Sequence, residues 1–287
     1  MSRLFRFLIV VTVALGVVGC TTNSLVIRYF YGRMDNNINN RILAMADFSN
    51  AQKGEIREAV DEYVAWHRRN ELPRYAEFIE ELQVKVESGL LNHDAVLQDM
   101  ETARNFAKTG FLKSPFVQST TFLKSLEDRQ VAQVAEHFSR QNEKFLEWMA
   151  KRKSERGNEK RLNSIVKNTR RFGITLNDEQ QRIISQGLTQ YDNDPMERHL
   201  LWNHWEQQLI ELLEERERPE FEVKLTEHLR LYQDQMRIHN PERDLHNRKV
   251  SAQIILEVVQ NLDPKQKQIL LGQLEQTKKI LLRISSS

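Results

Sequence analysis

Leu262-Asp263-Pro264-Lys265-Gln266 has the composition of a helix start. An aspartate side chain can accept hydrogen bonds from the first free N–H groups of a helix, so Asp263 is a candidate N-cap. Gln266 then lies at the third helical position and can bond back to the N-cap backbone, which completes a capping box. Pro264 fits the first helical position, where a missing N–H is not needed. The stretch therefore predicts a helix that begins at Pro264.

Three earlier stretches share this shape, with an apolar residue first and glutamine fifth: Phe48–Gln52, Leu126–Gln130 and Leu176–Gln180. We call the four stretches the helix-start motifs and number them along the chain. Ser49 and Asn177 are candidate N-caps, whereas Glu127 is a poor one and Ser125 can take its role. The motifs are 78, 50 and 86 residues apart, so no fixed period indicates a solenoid. Helix capping alone is enough to explain them.

The chain is predicted to be all-α. Helical periodicity dominates from Ser24 onward, and no convincing strand pattern occurs. We expect one helical bundle or two fused helical bundles over residues 24–287. The similar first and third intervals between motifs permit a duplication. The charge-dense run 151–161 is the best candidate for a hinge or domain boundary, which would give two halves near 24–157 and 158–287.

Prolines indicate further helix starts. Proline is tolerated in the first turn of a helix and disrupts a helix interior. Pro73, Pro195, Pro219 and Pro241 are therefore each expected in a first turn. The first helix is expected at about residues 24–46.

The first twenty residues have the pattern of a bacterial lipoprotein signal peptide. Arg3 and Arg6 precede an apolar run at 7–18. As a helix this run reaches roughly 18 Å, which is too short for a bilayer core of about 30 Å. A cationic start, a short apolar run and small residues are typical of a signal peptide. The ending Val17-Val18-Gly19-Cys20 resembles the lipobox, so we expect removal of residues 1–19.

Cys20 is expected to carry the lipid, and residues 20–23 to form the lipidated N-terminus. It is the only cysteine in the sequence, so no disulfide can form within one chain. The alternative is a secretory signal in which Cys20 stands at this place by chance. By analogy with the sorting of lipoproteins in Gram-negative bacteria, Thr21 after the cysteine implies the outer membrane, with the protein on its periplasmic face.

Composition limits the classes of partner. The chain has 42 Lys+Arg and 40 Asp+Glu, and removal of residues 1–19 would take away Arg3 and Arg6 and leave 40 of each. A neutral balance gives no support for nucleic acid as a partner, since phosphate binding requires clustered positive charge. Ten glycines and six prolines are few for this length, whereas 29% charged residues is high. This composition favours long, solvated helices.

One segment, 66–75, holds the candidate site residues, which are Trp66, His67, Arg68, Glu71, Pro73 and Tyr75. His67 lies on an apolar helix face, and Glu71, one turn on, can bond to its imidazole. The first interpretation is a structural corner before Pro73, held by the His67–Glu71 pair. The second is a binding site, in which the charged side chains contact an anionic glycan or peptide terminus. Catalysis at this segment is a third interpretation.

The same segment carries a family resemblance. Residues 66–75 read W-H-R-R-N-E-L-P-R-Y. Together with the lipobox and the first helix-start motif, they resemble a family of uncharacterised proteobacterial lipoproteins with a W-H-R-x-x-E-L-P-x-Y signature. The resemblance implies an α-helical outer-membrane lipoprotein and does not imply any particular biochemical activity. A looser similarity connects the helix-start motifs to small periplasmic stress chaperones with L-T-x-x-Q repeats, although no motif here has Leu followed by Thr.

Common enzyme and cofactor motifs are missing from the sequence. It contains no G-x-S-x-G, H-E-x-x-H or E-x-x-H, and no glycine-rich nucleotide loop. We therefore expect no cofactor, metal ligand or catalytic residue. Trp202, Trp205 and Leu209 share a helix face and are assigned to the core. His199 and His204 are five residues apart, which is awkward for chelation on a helix.

The expected function is non-catalytic: binding, scaffolding or folding assistance at the outer membrane. An envelope protein or a cell-wall component is the expected partner. The alternative is a cell-wall enzyme that cleaves peptidoglycan with a Glu catalyst, which needs a carboxyl with a raised pKa in a cleft. A deep groove with one unpaired, half-buried glutamate would favour the enzyme, and a shallow apolar face would favour the binder.

Overall fold

The structure is a computed structural model that describes residues 31–118, 120–151, 157–192, 194–232 and 234–286. These residues form helices and no strand, which confirms the all-α fold. The helices are α1 Met34–Leu43, α2 Asn50–Ser88, α3 His93–Leu112, α4 Pro115–Gln118, α5 Thr120–Lys124, α6 Asp128–Lys151, α7 Gly157–Arg171, α8 Asp178–Thr189, α9 Pro195–Glu214, α10 Phe221–Arg230, α11 Gln235–His239, α12 Pro241–Gln260 and α13 Pro264–Ser285. Among them, none has the length and apolar character that crossing a membrane requires. The predicted signal peptide and Cys20 lie outside the described residues.

Three of the four helix-start motifs form complete capping boxes, as predicted. Ser49, Asn177 and Asp263 each accept a hydrogen bond from the backbone N–H of the glutamine three residues on. Each glutamine side chain in turn accepts a bond from the N-cap N–H. Helices α2, α8 and α13 therefore begin where the sequence places them.

The second helix-start motif has half of a capping box. Gln130 accepts a hydrogen bond of 3.0 Å from the N–H of Glu127, whereas Ser125 bonds to a carbonyl of the preceding turn and does not cap α6. Arg216, which is buried, donates from Nε to the Leu126 carbonyl at 2.7 Å. A side chain distant in sequence therefore supports the motif that lacks a good N-cap.

The glutamines of the helix-start motifs pair across the fold. Gln52 and Gln130 form two amide–amide hydrogen bonds, of 3.0 and 2.7 Å. Gln180 and Gln266 form the same arrangement, with bonds of 2.7 and 3.0 Å. The first motif thus pairs with the second, and the third with the fourth. Each pair lies within one of the two expected halves, and the division into halves stays a prediction.

Helices of the two expected halves also pack against each other. Helix α13 lies along α2, where Leu274 and Leu281 join a cluster with Leu72 and Ile79. Helix α12 packs against α3 through a second apolar cluster that includes Val96, Ala252 and Leu256. Part of the apolar core is therefore shared between the two expected halves.

The largest apolar cluster surrounds the first half of α2. It is built from α1, α2, α6, α9 and α10 and the short helices between α3 and α6. Val60 and Val64 of α2 are buried in it beside Leu209 of α9 and Leu225 of α10. This cluster positions both features that are described below as candidate sites.

Two of the four helix starts predicted from prolines are confirmed. Pro195 and Pro241 are the first residues of α9 and α12. The prediction for Pro219 is wrong, because turns continue to residue 220 and α10 begins only at the buried Phe221. The first described helix, α1, spans part of the expected 24–46. The charge-dense run 151–161 lies partly outside the described residues.

Candidate functional site

Segment 66–75 lies in the middle of α2 and forms no corner. Pro73 has no N–H to donate to the carbonyl of Arg69, which in a helix interior costs about 3 kcal/mol or more. Helix α2 nevertheless continues on both sides of Pro73. Leu72 and Ala76 flank the proline and are both buried against α13. The predicted corner, and the helix start at Pro73, are therefore wrong, because burial of this face outweighs the penalty of the proline.

His67 is the centre of a polar group that we call the His67 cluster, formed by Tyr31, Tyr63, His67, Glu71 and Tyr75. His67 and Glu71 are buried, and the three tyrosines are half-buried. The Tyr31 hydroxyl is hydrogen-bonded to Nδ1 of His67, and the Tyr75 hydroxyl lies 3.3 Å from Nε2. A neutral imidazole has one N–H, so it donates to one hydroxyl and accepts from the other. Both ring nitrogens are therefore satisfied by tyrosines.

Glu71 does not bond to His67, in contrast to the prediction. Its Oε1 accepts a hydrogen bond of 2.9 Å from Arg74, and its side chain is only 2% exposed. Its other oxygen, Oε2, is buried and has no hydrogen-bond partner among the described residues. The carboxylate of Glu71 is thus held beside three phenols by one ion pair.

Burial sets the titration of the His67 cluster. It lowers the pKa of His67 to about 4, so the imidazole is neutral at pH 7. Burial, and to a smaller extent the Glu71 carboxylate, raises the pKa of Tyr63 to about 12 and the pKa of Tyr75 beyond its usual range. Burial and then Tyr63 raise the pKa of Tyr31 in the same way. None of these four groups is suited to transfer protons near pH 7.

Trp66 and Arg68 of the segment each lie against a tyrosine ring of the His67 cluster. Trp66 is half-buried and stacks on Tyr63, with the ring centroids 6.0 Å apart. The guanidinium of Arg68 lies 5.9 Å from the centroid of the Tyr31 ring, and Arg69 is exposed. Contact of these arginines with an anionic glycan or peptide terminus stays a prediction.

The helix face with Trp202, Trp205 and Leu209 packs into the core, as predicted. Trp205 and Leu209 are buried, and Trp202 is half-buried against Trp205. His199 is buried and stacks on the Phe145 ring, with centroids 4.4 Å apart. Within the described ranges, no group of three His, Cys, Asp or Glu side chains could hold a metal ion.

A cavity of about 380 Å³ lies between α1, α2, α6, α9 and the short helices α4 and α5, and the sequence did not predict it. We call it the apolar cavity, because its walls are mainly apolar and include Met45, Ile56, Ala59, Phe122, Phe138 and Leu209. Ligand pockets typically have volumes of about 300–1,000 Å³. Since a cavity of about 150 Å³ can hold a benzene ring, this one has room for roughly two groups of that size.

Three glutamates of α2 form one rim of the apolar cavity. Glu55, Glu58 and Glu62 all line it and are all exposed. They are three and four residues apart, which places them on one helix face over roughly 10 Å. No basic side chain lines the cavity within the part of the chain that the structure describes. The acidic spacing is visible in the sequence, but the apolar walls come from segments that are far apart in it.

Comparison with curated proteins and with solved structures finds no match. The model of a family of unknown function, DUF6279, matches residues 44–242, which is more than half of the chain. The matched range includes segment 66–75 and every residue that lines the apolar cavity except Ile42. The W-H-R-x-x-E-L-P-x-Y signature and the similarity to L-T-x-x-Q chaperones stay predictions. The chain belongs to DUF6279, a family of unknown function.

Proposed function

We propose that the protein is a lipoprotein anchored to the outer membrane on its periplasmic side, where it binds an envelope partner through the apolar cavity without catalysing a reaction. The observation that carries the binding role is the apolar cavity itself. Covering apolar walls with an apolar partner removes them from water and is therefore favourable. The size of the cavity fits side chains better than a whole domain, so the partner inserts a short apolar segment.

A cell-wall enzyme with a Glu catalyst is the alternative. Glu71 is the described glutamate most like a catalyst, since it is buried with one oxygen unbonded among the described residues. It does not line the apolar cavity, and the glutamates that do are exposed. Glycan cleavage requires a carboxyl group that meets the substrate in a cleft. Purified protein is therefore expected to release no soluble fragments from peptidoglycan, and release that Glu71→Gln abolishes would favour the enzyme.

The anchor is tested at Cys20. The change Cys20→Ser removes the thiol that would receive the lipid. We expect it to abolish labelling of the protein by a fatty acid and to release the protein from the membrane fraction or leave it unprocessed. Labelling that is undiminished in Cys20→Ser would refute the lipoprotein assignment.

Photocrosslinking in cells tests the binding role. A photoreactive residue at Thr121, which lines the apolar cavity and is exposed, is expected to capture the partner. In the same protein, Ala59→Phe fills part of the cavity and should remove the adduct. A photoreactive residue at Val84, which is 56% exposed on α2 and outside the cavity lining, is the control. An adduct that forms equally from Val84, or that survives Ala59→Phe in a folded protein, would contradict the proposal.

A further inference from the structure

We infer that the occupant of the apolar cavity is a peptide segment with apolar side chains on one face and basic side chains beside them. This inference rests on the proposed function and names the chemistry of the partner. The apolar side chains enter the cavity, and lysines or arginines meet the glutamates of the rim.

The negative charge of the rim favours a partner with positively charged side chains. Glu55 and Glu58 are three residues apart, and Glu58 and Glu62 are four apart, so neighbouring carboxylates on this face repel each other. A cation between them relieves that repulsion, whereas a phosphate or carboxylate adds to it. The balance of 42 basic and 40 acidic residues shows that the acidic rim is a local feature and not a consequence of net charge.

The spacing of the rim fits a helical segment. The three glutamates span roughly 10 Å, which equals about seven residues of a partner helix. Basic residues at positions i, i+3 or i+4, and i+7 of that helix would lie opposite the rim. Apolar residues on the adjacent face would then point into the cavity, as in complexes where an amphipathic helix lies in a groove. Room for roughly two ring-sized groups limits the insertion to about two apolar side chains.

Binding of a designed peptide tests the inference. The probe is a fluorescein-labelled helical peptide of fifteen residues with Leu and Phe on one face and three Lys residues at the stated spacing. The mature protein is held in phosphatidylcholine nanodiscs by the lipid proposed for Cys20, and empty discs give the blank. We expect the combined change of Glu55, Glu58 and Glu62 to Gln to weaken binding about tenfold in fluorescence anisotropy. Higher salt should weaken binding to the unchanged protein.

A matched control lies on the same helix. Glu77, Glu81 and Glu87 are exposed glutamates of α2 that do not line the cavity. Their combined change to Gln removes the same number of charges and should alter the affinity less than twofold. A peptide with Glu in place of the three lysines should not bind. If the rim variant binds the lysine peptide as well as the unchanged protein does, the inference is wrong.

Ala59→Phe separates this inference from the proposed function. A folded Ala59→Phe protein, checked by its thermal melt, should lose the lysine peptide because the cavity is partly filled. If Ala59→Phe removes binding but the rim variant does not, the cavity binds apolar segments and the basic partner is refuted. If Ala59→Phe binds the peptide as the unchanged protein does, or if no peptide binds, both proposals fail.

Discussion

Gln180→Met removes one amide from the pair that joins the third and fourth helix-start motifs and keeps the length of the side chain. Gln180 is fully buried, so water does not reach its amide. It exchanges two hydrogen bonds with Gln266, of 2.7 and 3.0 Å. It also donates to the Asn261 carbonyl at 2.8 Å and accepts from the Asn177 N–H at 2.9 Å. Methionine can make none of these four bonds.

The expected loss of stability follows from the groups that are left unpaired. The Gln266 amide, the Asn261 carbonyl and the Asn177 N–H each lose a partner, and a buried unsatisfied group costs about 1–3 kcal/mol. Because neighbouring groups can rearrange, we expect a total of about 3 kcal/mol rather than the full sum. For a domain of this size, 1 kcal/mol shifts the melting temperature by about 2–4 °C. Gln180→Met should therefore melt roughly 6–12 °C lower.

Urea unfolding followed by circular dichroism measures this loss. Gln186→Met is the matched control, because Gln186 is an exposed residue of the same helix, and it should change stability by less than about 0.5 kcal/mol. In the double variant Gln180→Met/Gln266→Met, the bonds between the two amides are lost only once. The combined loss should thus be smaller than the sum of the single losses. Equal stability of Gln180→Met and Gln186→Met, or strict additivity, would refute the pairing.

Two further predictions concern other parts of the fold. Burial lowers the pKa of His67 to about 4, below its usual value of about 6.5. Between these two values the unfolded chain binds a proton that the folded protein does not, so the free energy of unfolding is unaffected above pH 6.5 and falls as the pH drops towards 4. Urea unfolding should show a loss of about 3 kcal/mol from this source between pH 7 and pH 4 that is missing in His67→Gln, and identical pH profiles would contradict it. At Gly187, an added Cβ would lie 2.5 Å from Cδ1 of Ile254, so Gly187→Ala should cost about 1–3 kcal/mol. Gly272 has open space around it, so Gly272→Ala should instead stabilise the fold by up to about 1 kcal/mol. Equal effects of the two alanines in thermal melts would count against the close contact between Gly187 and Ile254.

Helix starts could be predicted from the sequence because capping is local. The N-cap and the residues that it bonds to lie within four positions, so Asp263 and Gln266 carry the whole signal for α13. The same holds for Pro195 and Pro241, which each begin a helix. The all-α fold follows from these starts and from the helical periodicity between them.

The candidate sites could not be predicted in the same way, because their parts are far apart in the sequence. His67 bonds to Tyr31, which lies 36 residues earlier, and not to the nearby Glu71. Pro73 stays inside α2 because α13, about 200 residues later, covers the helix there. The apolar cavity needs walls from six helices, α1, α2, α4, α5, α6 and α9. In each case tertiary packing overrides or completes what local sequence indicates.

Tertiary packing also explains why all four helix-start motifs end in glutamine. Capping alone accepts either Glu or Gln at the third helical position, since both have an oxygen that can bond to the N-cap N–H. In the paired arrangement each glutamine also donates an N–H to the oxygen of its partner. Gln130, Gln180 and Gln266 each donate a second N–H to a backbone carbonyl. A glutamate has no such donor and would place a negative charge against the oxygens of its partner and of those carbonyls. The oxygen of each side chain is thus required by its own helix, and the amide nitrogen by the motif on the other side of the pair.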